Sequence, residues 1–166
     1  MDFYLQRLQN AISSATAGMN ADALARRPGA DKWSIAEILE HLYLTYTGTI
    51  KGFEKCLEAR KPLARVPTLQ DRMRTAVVVK CGYLPEGRKA PQNAVPRGLP
   101  PERVLSEVVE KIAAMDAIIT EAEHKFGSRR RLLDHPILGP LQANEWRKFH
   151  WIHGRHHLKQ IQRLRS

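Results

Sequence analysis

The chain has 166 residues, and 27 Lys+Arg against 17 Asp+Glu give it a formal net charge of +10 at pH 7 and a pI near 10.0. A hydrophobic content of 43% and a mean hydropathy of -0.42 exclude global disorder and a collagen-like or low-complexity chain. Two cysteines, Cys56 and Cys81, are too few for a disulfide framework or a four-thiolate zinc site, and the length suits one domain over residues 1–166.

The first helical pattern runs from Phe3 to Leu24, with Phe3, Leu5, Leu8, Ile12 and Met19 as its apolar positions. It is weak in the middle, where Ser13, Ser14, Thr16 and Gly18 are poor helix formers, and Arg27-Pro28-Gly29 ends it. The second helix has the clearest start signal. Ser34 followed by Glu37 has the spacing of a capping box. Ile35, Ile38, Leu39, Leu42, Tyr46, Ile50 and Phe53 then recur at helical spacing, and the pattern continues to Ala59, before Pro62.

The segment between Lys61 and Pro101 differs from its neighbours. It holds seven of the ten prolines, and eight basic residues against Asp71 and Glu86 place six of the ten excess charges there. A short helix from Leu69 to Val79 is expected, since Leu69, Met73 and Val77 are four apart. The rest has no period, and an irregular stretch of this length reads as a lid or a packing arm. Its charge reads first as a solvated loop, or else as a funnel for an anionic substrate. The lack of aromatic interleaving and of any nucleic-acid motif argues against a nucleic-acid partner.

The third helix starts at Pro101, runs to about Lys125 and carries Val104, Leu105, Val108, Ile112, Met115, Ile118 and Ile119 on one stripe, with Gly127 as its stop. A loop through His135-Pro136 and Gly139-Pro140 leads to a fourth helix, Ala143 to Leu164. The strand signal is confined to Val77, Val78 and Val79, too little for a sheet. The expectation is therefore an all-α four-helix bundle with a long connection between the second and third helices. The opening MDFYLQRLQN has no basic stretch followed by an apolar run, and the uncharged stretch Leu42 to Ile50 falls well short of the roughly twenty residues of a membrane span. A cytoplasmic protein with no membrane contact is expected.

The main chemical signal is histidine. Four of the seven, His150, His153, His156 and His157, crowd the last helix. At about 100° per residue, His150, His153, His157 and Gln160 fall on the same face as Trp146, Ile161 and Leu164, whereas Arg155 and Lys159 point away. Buried imidazoles need partners for their polar nitrogens. One answer is a hydrogen-bonded cluster of core histidines. The other is a divalent ion, for which His153 and His157, at i and i+4, are the best pair, since His150 lies two turns from His157. A pair needs a third ligand. His41 is the candidate, although it lies on the flank of the second helix's apolar face, a flank shared by the small residues Thr45 and Gly48.

The run Trp33-Ser34-Ile35-Ala36-Glu37-Ile38-Leu39-Glu40-His41-Leu42 resembles the second-helix segment of the DinB-like (YfiT-like) metal-binding four-helix bundles, and His153-Gly154-Arg155-His156-His157-Leu158-Lys159-Gln160-Ile161 resembles the HxxHHxxQ segment of their last helix. His135-Pro136-Ile137-Leu138-Gly139-Pro140-Leu141, with Glu145-Trp146 and Phe149-His150, is similar to one subgroup of uncharacterised bacterial members. The resemblance implies a divalent metal, often nickel or zinc, on His41, His153 and His157, with a coordination position left for water or substrate. Some relatives use the ion to activate a low-molecular-weight thiol for transfer to an electrophile, and homodimers are frequent. The long 61–100 segment departs from the shorter connections of that family.

Around this set, His150 reads as a cavity residue beside the open position or as a satisfied core histidine. Gln160 reads as the holder of a ligand's second nitrogen or as a core amide. Glu37 reads as a capping residue before it reads as a carboxylate behind a ligand, and His135, ahead of a proline, reads as a turn residue. The cysteines read as packing residues. Two functions follow: a metal-dependent thiol transferase or hydrolase acting on a small, anionic molecule, or a non-catalytic ligand-binding or stress-response bundle.

Overall fold

A computed structural model describes residues 1–85 and 89–165; Glu86 and Arg88, counted in the basic segment above, lie outside the described residues. The elements are α1 (Phe3–Thr16), α2 (Ala21–Ala25), α3 (Ile35–Glu58), α4 (Leu69–Thr75), a π-helical turn Ala76–Lys80, a 3-10 turn Gln92–Ala94, α5 (Pro101–Phe126), the strands β1 (Arg131–His135) and β2 (Gly139–Gln142), and α6 (Ala143–Arg165). The described chain is thus mainly helical, with six α-helices and one small antiparallel sheet.

Local chemistry explains most of the boundaries. Asp2 accepts from the Tyr4 N–H and starts α1, and the Ser34–Glu37 capping box starts α3. The first helical pattern does not run through to Leu24. Gly18 takes a φ of +73°, a left-handed conformation that ends one helix, and Asn20 caps a second by accepting from the Ala23 N–H. Phe3, expected in the core, is 65% exposed. The third helix follows its stripe closely, from Pro101 at the first turn to Gly127, whose φ of +99° ends it.

The core joins Leu5, Leu8 and Ile12 of α1 to Leu39, Leu42, Tyr46 and Phe53 of α3, to Val104, Val108, Ile112, Met115 and Ile119 of α5, and to Trp146, Phe149 and Ile161 of α6. α3 packs chiefly on α5, and α1 chiefly on α6. The α1–α6 contact is close at Gly154, where a Cβ would collide with the Leu8 side chain. That approach sets the position of α6 next to the histidines on either side of Gly154.

Two expectations about the connections are corrected. The segment before α6 is a β-hairpin rather than a loop, pairing Leu133 with Leu141 and His135 with Gly139. Its strands are too short for an alternation to show, and Pro140 masks the second. The Val77–Val79 run forms no strand and is helical, as the Leu69–Val79 pattern predicts. The helix expected at Leu69–Val79 is present as α4 and the π turn, but the spacing that announced it faces outward. Leu69 is 76% and Met73 62% exposed, whereas Asp71, Thr75, Val78 and Val79 face the protein. Asp71 caps Thr68 and takes a bidentate contact from Arg65, whose guanidinium holds the Asp71 carboxyl well below the usual range. The Thr75 hydroxyl donates to the Leu138 carbonyl and Val78 and Val79 join the core, so the spacing of Leu69, Met73 and Val77 misreads the seated face.

No described helix is long and apolar enough to cross a membrane.

Candidate metal centre

Three histidines from two helices meet at one point. α3 supplies His41, and α6 supplies His153 and His157, one turn apart on the same face. The His153 Nε2 lies 3.3 Å from His41 Nε2 and 3.1 Å from His157 Nε2. One nitrogen from each of the three lies within 4.8 Å of the others. Ligand nitrogens about 2.0–2.1 Å from a tetrahedral ion sit roughly 3.3–3.4 Å apart, and the two His153 distances are compatible with that spacing.

The outer nitrogens decide which way the lone pairs point. His41 Nδ1 lies 2.8 Å from the Ala94 carbonyl oxygen, which can only accept, so Nδ1 carries the proton. His157 Nδ1 lies 2.8 Å from Gln160 Oε1, which imposes the same tautomer. Both Nε2 atoms are therefore lone pairs aimed at His153. Its single Nε2 hydrogen satisfies at most one of them well, and its buried Nδ1 has no hydrogen-bond partner among the described residues. Buried acceptors facing one another without donors are costly. A divalent cation removes that conflict, so the residues present fit such an ion.

Electrostatics favours the metal-binding form. Burial pushes His157 down to about 3 and His153 well below its ordinary value, with the neighbouring imidazoles adding to the effect. Burial also lowers His41, against the raising effect of its Ala94 contact. All three are neutral imidazoles at pH 7, the state that ligates.

His41 reaches this point despite its flanking position on the helical wheel. The connector covers that flank: Ala94 lies on its Nδ1 side, and the Trp33 ring packs 5.2 Å from the imidazole, so His41 is only 4% exposed. Gly48, on the same flank, instead opens to solvent, with nothing near its would-be Cβ.

The remaining sequence candidates divide. Gln160 sits behind His157 and also approaches His156. His150 is buried deeper, 3.0 Å from Thr49 Oγ1 and stacked on Trp146, and burial pushes it down to about 3. Its Nδ1 and the neighbouring Tyr46 hydroxyl have no hydrogen-bond partner among the described residues. Glu37 does not reach the histidines. Its oxygens cap the Ser34 N–H and pair with Arg27. His135 Nδ1 accepts from the Ile137 and Leu138 N–H groups and so builds the hairpin turn. Cys56 is buried against the Leu132 carbonyl, but Cys81 is exposed rather than packed.

Two residues that the sequence reading passed over matter here. One is Ala94, a backbone carbonyl from an aperiodic stretch, which no side-chain pattern announces. The other is Glu40, buried beside His41 and bonded to residues 97–99. A carboxylate next in sequence to a candidate ligand was the available signal.

Among proteins of recorded sequence, the chain is 26% identical over 155 residues to the uncharacterized protein YuaE of Bacillus subtilis (strain 168), covering 90% of this chain and 87% of that one. No solved structure matches it significantly. Residues 1–164 match a family model described as a protein of unknown function, and by that nearly complete match the chain belongs to the DUF1569 family.

Proposed function

We propose that the protein binds one divalent metal ion, nickel or zinc, through His41, His153 and His157, in a single DinB-like four-helix-bundle domain built from α1, α3, α5 and α6. The observation that carries this reading is the convergence of the Nε2 atoms, with the outer nitrogens of His41 and His157 fixed by Ala94 and Gln160. Three protein ligands leave a coordination position open, which is the arrangement of catalytic rather than structural sites.

When bound, such an ion lowers the pKa of a coordinated thiol or water and so supplies a nucleophile at neutral pH. The chain's own part is to hold three neutral imidazoles in place, to exclude water around them with Trp33 and Phe149, and to keep His150 as an uncharged side chain on the same helix face. The reading extends to a metal-dependent transfer of a low-molecular-weight thiol, or a hydrolysis, on a small anionic molecule drawn by the basic connector. A homodimer in the cytoplasm completes it, with neither membrane nor nucleic acid as partner.

The test is elemental analysis of protein purified without a chelating tag, for the wild type and His153→Ala. Stoichiometric nickel or zinc in the wild type and its loss in the variant are expected. Equal metal in both would refute the site.

A further inference from the structure

Glu40 is one of the most deeply buried charged side chains, 1% exposed. No Lys or Arg side chain pairs with it among the described residues. Its partners are three successive backbone amides of the connector. Oε1 accepts from the Arg97 N–H at 2.7 Å, and Oε2 accepts from Gly98 and Leu99 at 3.0 and 3.1 Å. Gly98 has a φ of +88°, a conformation that suits glycine and turns the amides toward one point. This is a built anion cradle, and the anion it holds is a side chain of α3.

The next residue on α3 is His41, whose Nδ1 donates to Ala94, at the start of the same strap. Adjacent α3 residues thus grip residues 94–99 at two points, one through a carboxylate and one through a candidate metal ligand. With residues 97–99 seated, the Ala94 carbonyl stays against His41 and selects the Nδ1–H tautomer, which leaves Nε2 free for an ion. Released, that carbonyl drifts from the ring, and the other tautomer places a hydrogen where the lone pair is needed.

We propose that Glu40 is a positioning residue for the metal centre, and that docking of the 94–99 strap and metal binding are one coupled equilibrium. This inference rests on the three-histidine reading. Coupling is reciprocal, so the ion must tighten the strap by the same factor that the strap tightens the ion.

The experiment uses Zn²⁺ as the probe. Its affinity is measured by competition with a chromophoric chelator, and amide hydrogen exchange at Arg97, Gly98 and Leu99 is followed with and without Zn²⁺. Zn²⁺ is expected to slow exchange at these amides in the wild type, an effect absent in His41→Ala. Glu40→Gln, with an amide donor facing an amide donor, is expected to bind Zn²⁺ roughly 10-fold or more weakly, within the range for lost outer partners of metal ligands. Glu37→Gln, which loses the Arg27 ion pair at the start of the same helix, serves as the control and keeps wild-type affinity. A wild type that binds Zn²⁺ without any change at residues 97–99 overturns the coupling, whatever becomes of the variants. So does a folded Glu40→Gln that binds as tightly as the wild type. A wild type that binds no Zn²⁺ overturns the metal reading itself, which is a separate failure.

Discussion

Two buried polar clusters on α6 are built on opposite principles. Around Arg147, every group has a complement. The guanidinium donates to Asp116 at 3.2 Å, to Glu123 at 2.6 Å and to the Thr120 hydroxyl at 2.8 Å, and Asp116 also takes the Asp2 N–H. Two turns along, His153 and His157 meet His41, and like acceptors face one another. The first cluster gives each charged group a hydrogen-bond partner within the chain and ties α5 to α6. The second leaves lone pairs unmatched, a conflict that a cation would remove. Burial alone does not separate a structural polar cluster from a functional one. Complementarity does.

The sharpest way to break the comparison is to unbalance the complete cluster. Arg147→Ala strands a buried carboxylate, and such a loss costs about 3–5 kcal/mol. Denaturant unfolding is expected to show that loss with or without Zn²⁺. A variant within about 0.5 kcal/mol of the wild type would show that the network contributes little.

Next in size is the response to acid. Burial pushes His135 down to about 4, below its unfolded value near 6.5. The unfolded chain therefore binds more protons between these values. The His135 contribution is fully present above about pH 6.5 and is lost as pH falls toward 4, with an order of magnitude of about 3 kcal/mol. His135→Asn keeps an acceptor for the turn N–H groups and removes the titration. Its stability curve is expected to be flatter across that window, and an unchanged slope would refute the assignment.

On the proposed reading, the histidine cluster gains stability from an ion. Zn²⁺ at 100 times its dissociation constant stabilises by about 2.7 kcal/mol through binding to the folded state alone. Thermal unfolding with Zn²⁺ or with a chelator is expected to show this difference in the wild type and in Arg147→Lys, and to lose it in His157→Ala. A shift that survives in His157→Ala would place the ion elsewhere.

The smallest effect is at the start of α3. Ser34→Ala removes the capping box and is expected to cost about 1 kcal/mol. It leaves Zn²⁺ affinity unchanged, since Glu37 faces Arg27 and not the histidines. A tenfold loss of affinity would contradict that separation.

What the sequence discloses follows from the range of each interaction. The start of α3, the extent of α5 and the i, i+4 placement of His153 and His157 rest on neighbours within a turn, and these were legible. His41 was harder. A wheel drawn from α3 alone puts it on a flank, because its cover comes from Ala94, more than fifty residues away. The hairpin, the break at Gly18 and the inward face of α4 were missed for related reasons. Two short strands carry no period, a single glycine outweighs a helical pattern, and α4 turns Thr75 to the hairpin while its apolar stripe faces outward. The grip of Glu40 on residues 97–99 was out of reach, since its partners are backbone amides that any sequence supplies.

The central claim is that three Nε2 lone pairs share one cation, and imidazole ¹⁵N spectra during a Zn²⁺ titration test it most directly. His41 and His157 are expected to be Nδ1–H tautomers before zinc is added. The Nε2 resonances of His41, His153 and His157 are then expected to move together as zinc binds, while His135 keeps its shift. Zinc binding that leaves the His41 Nε2 resonance in place would contradict the account.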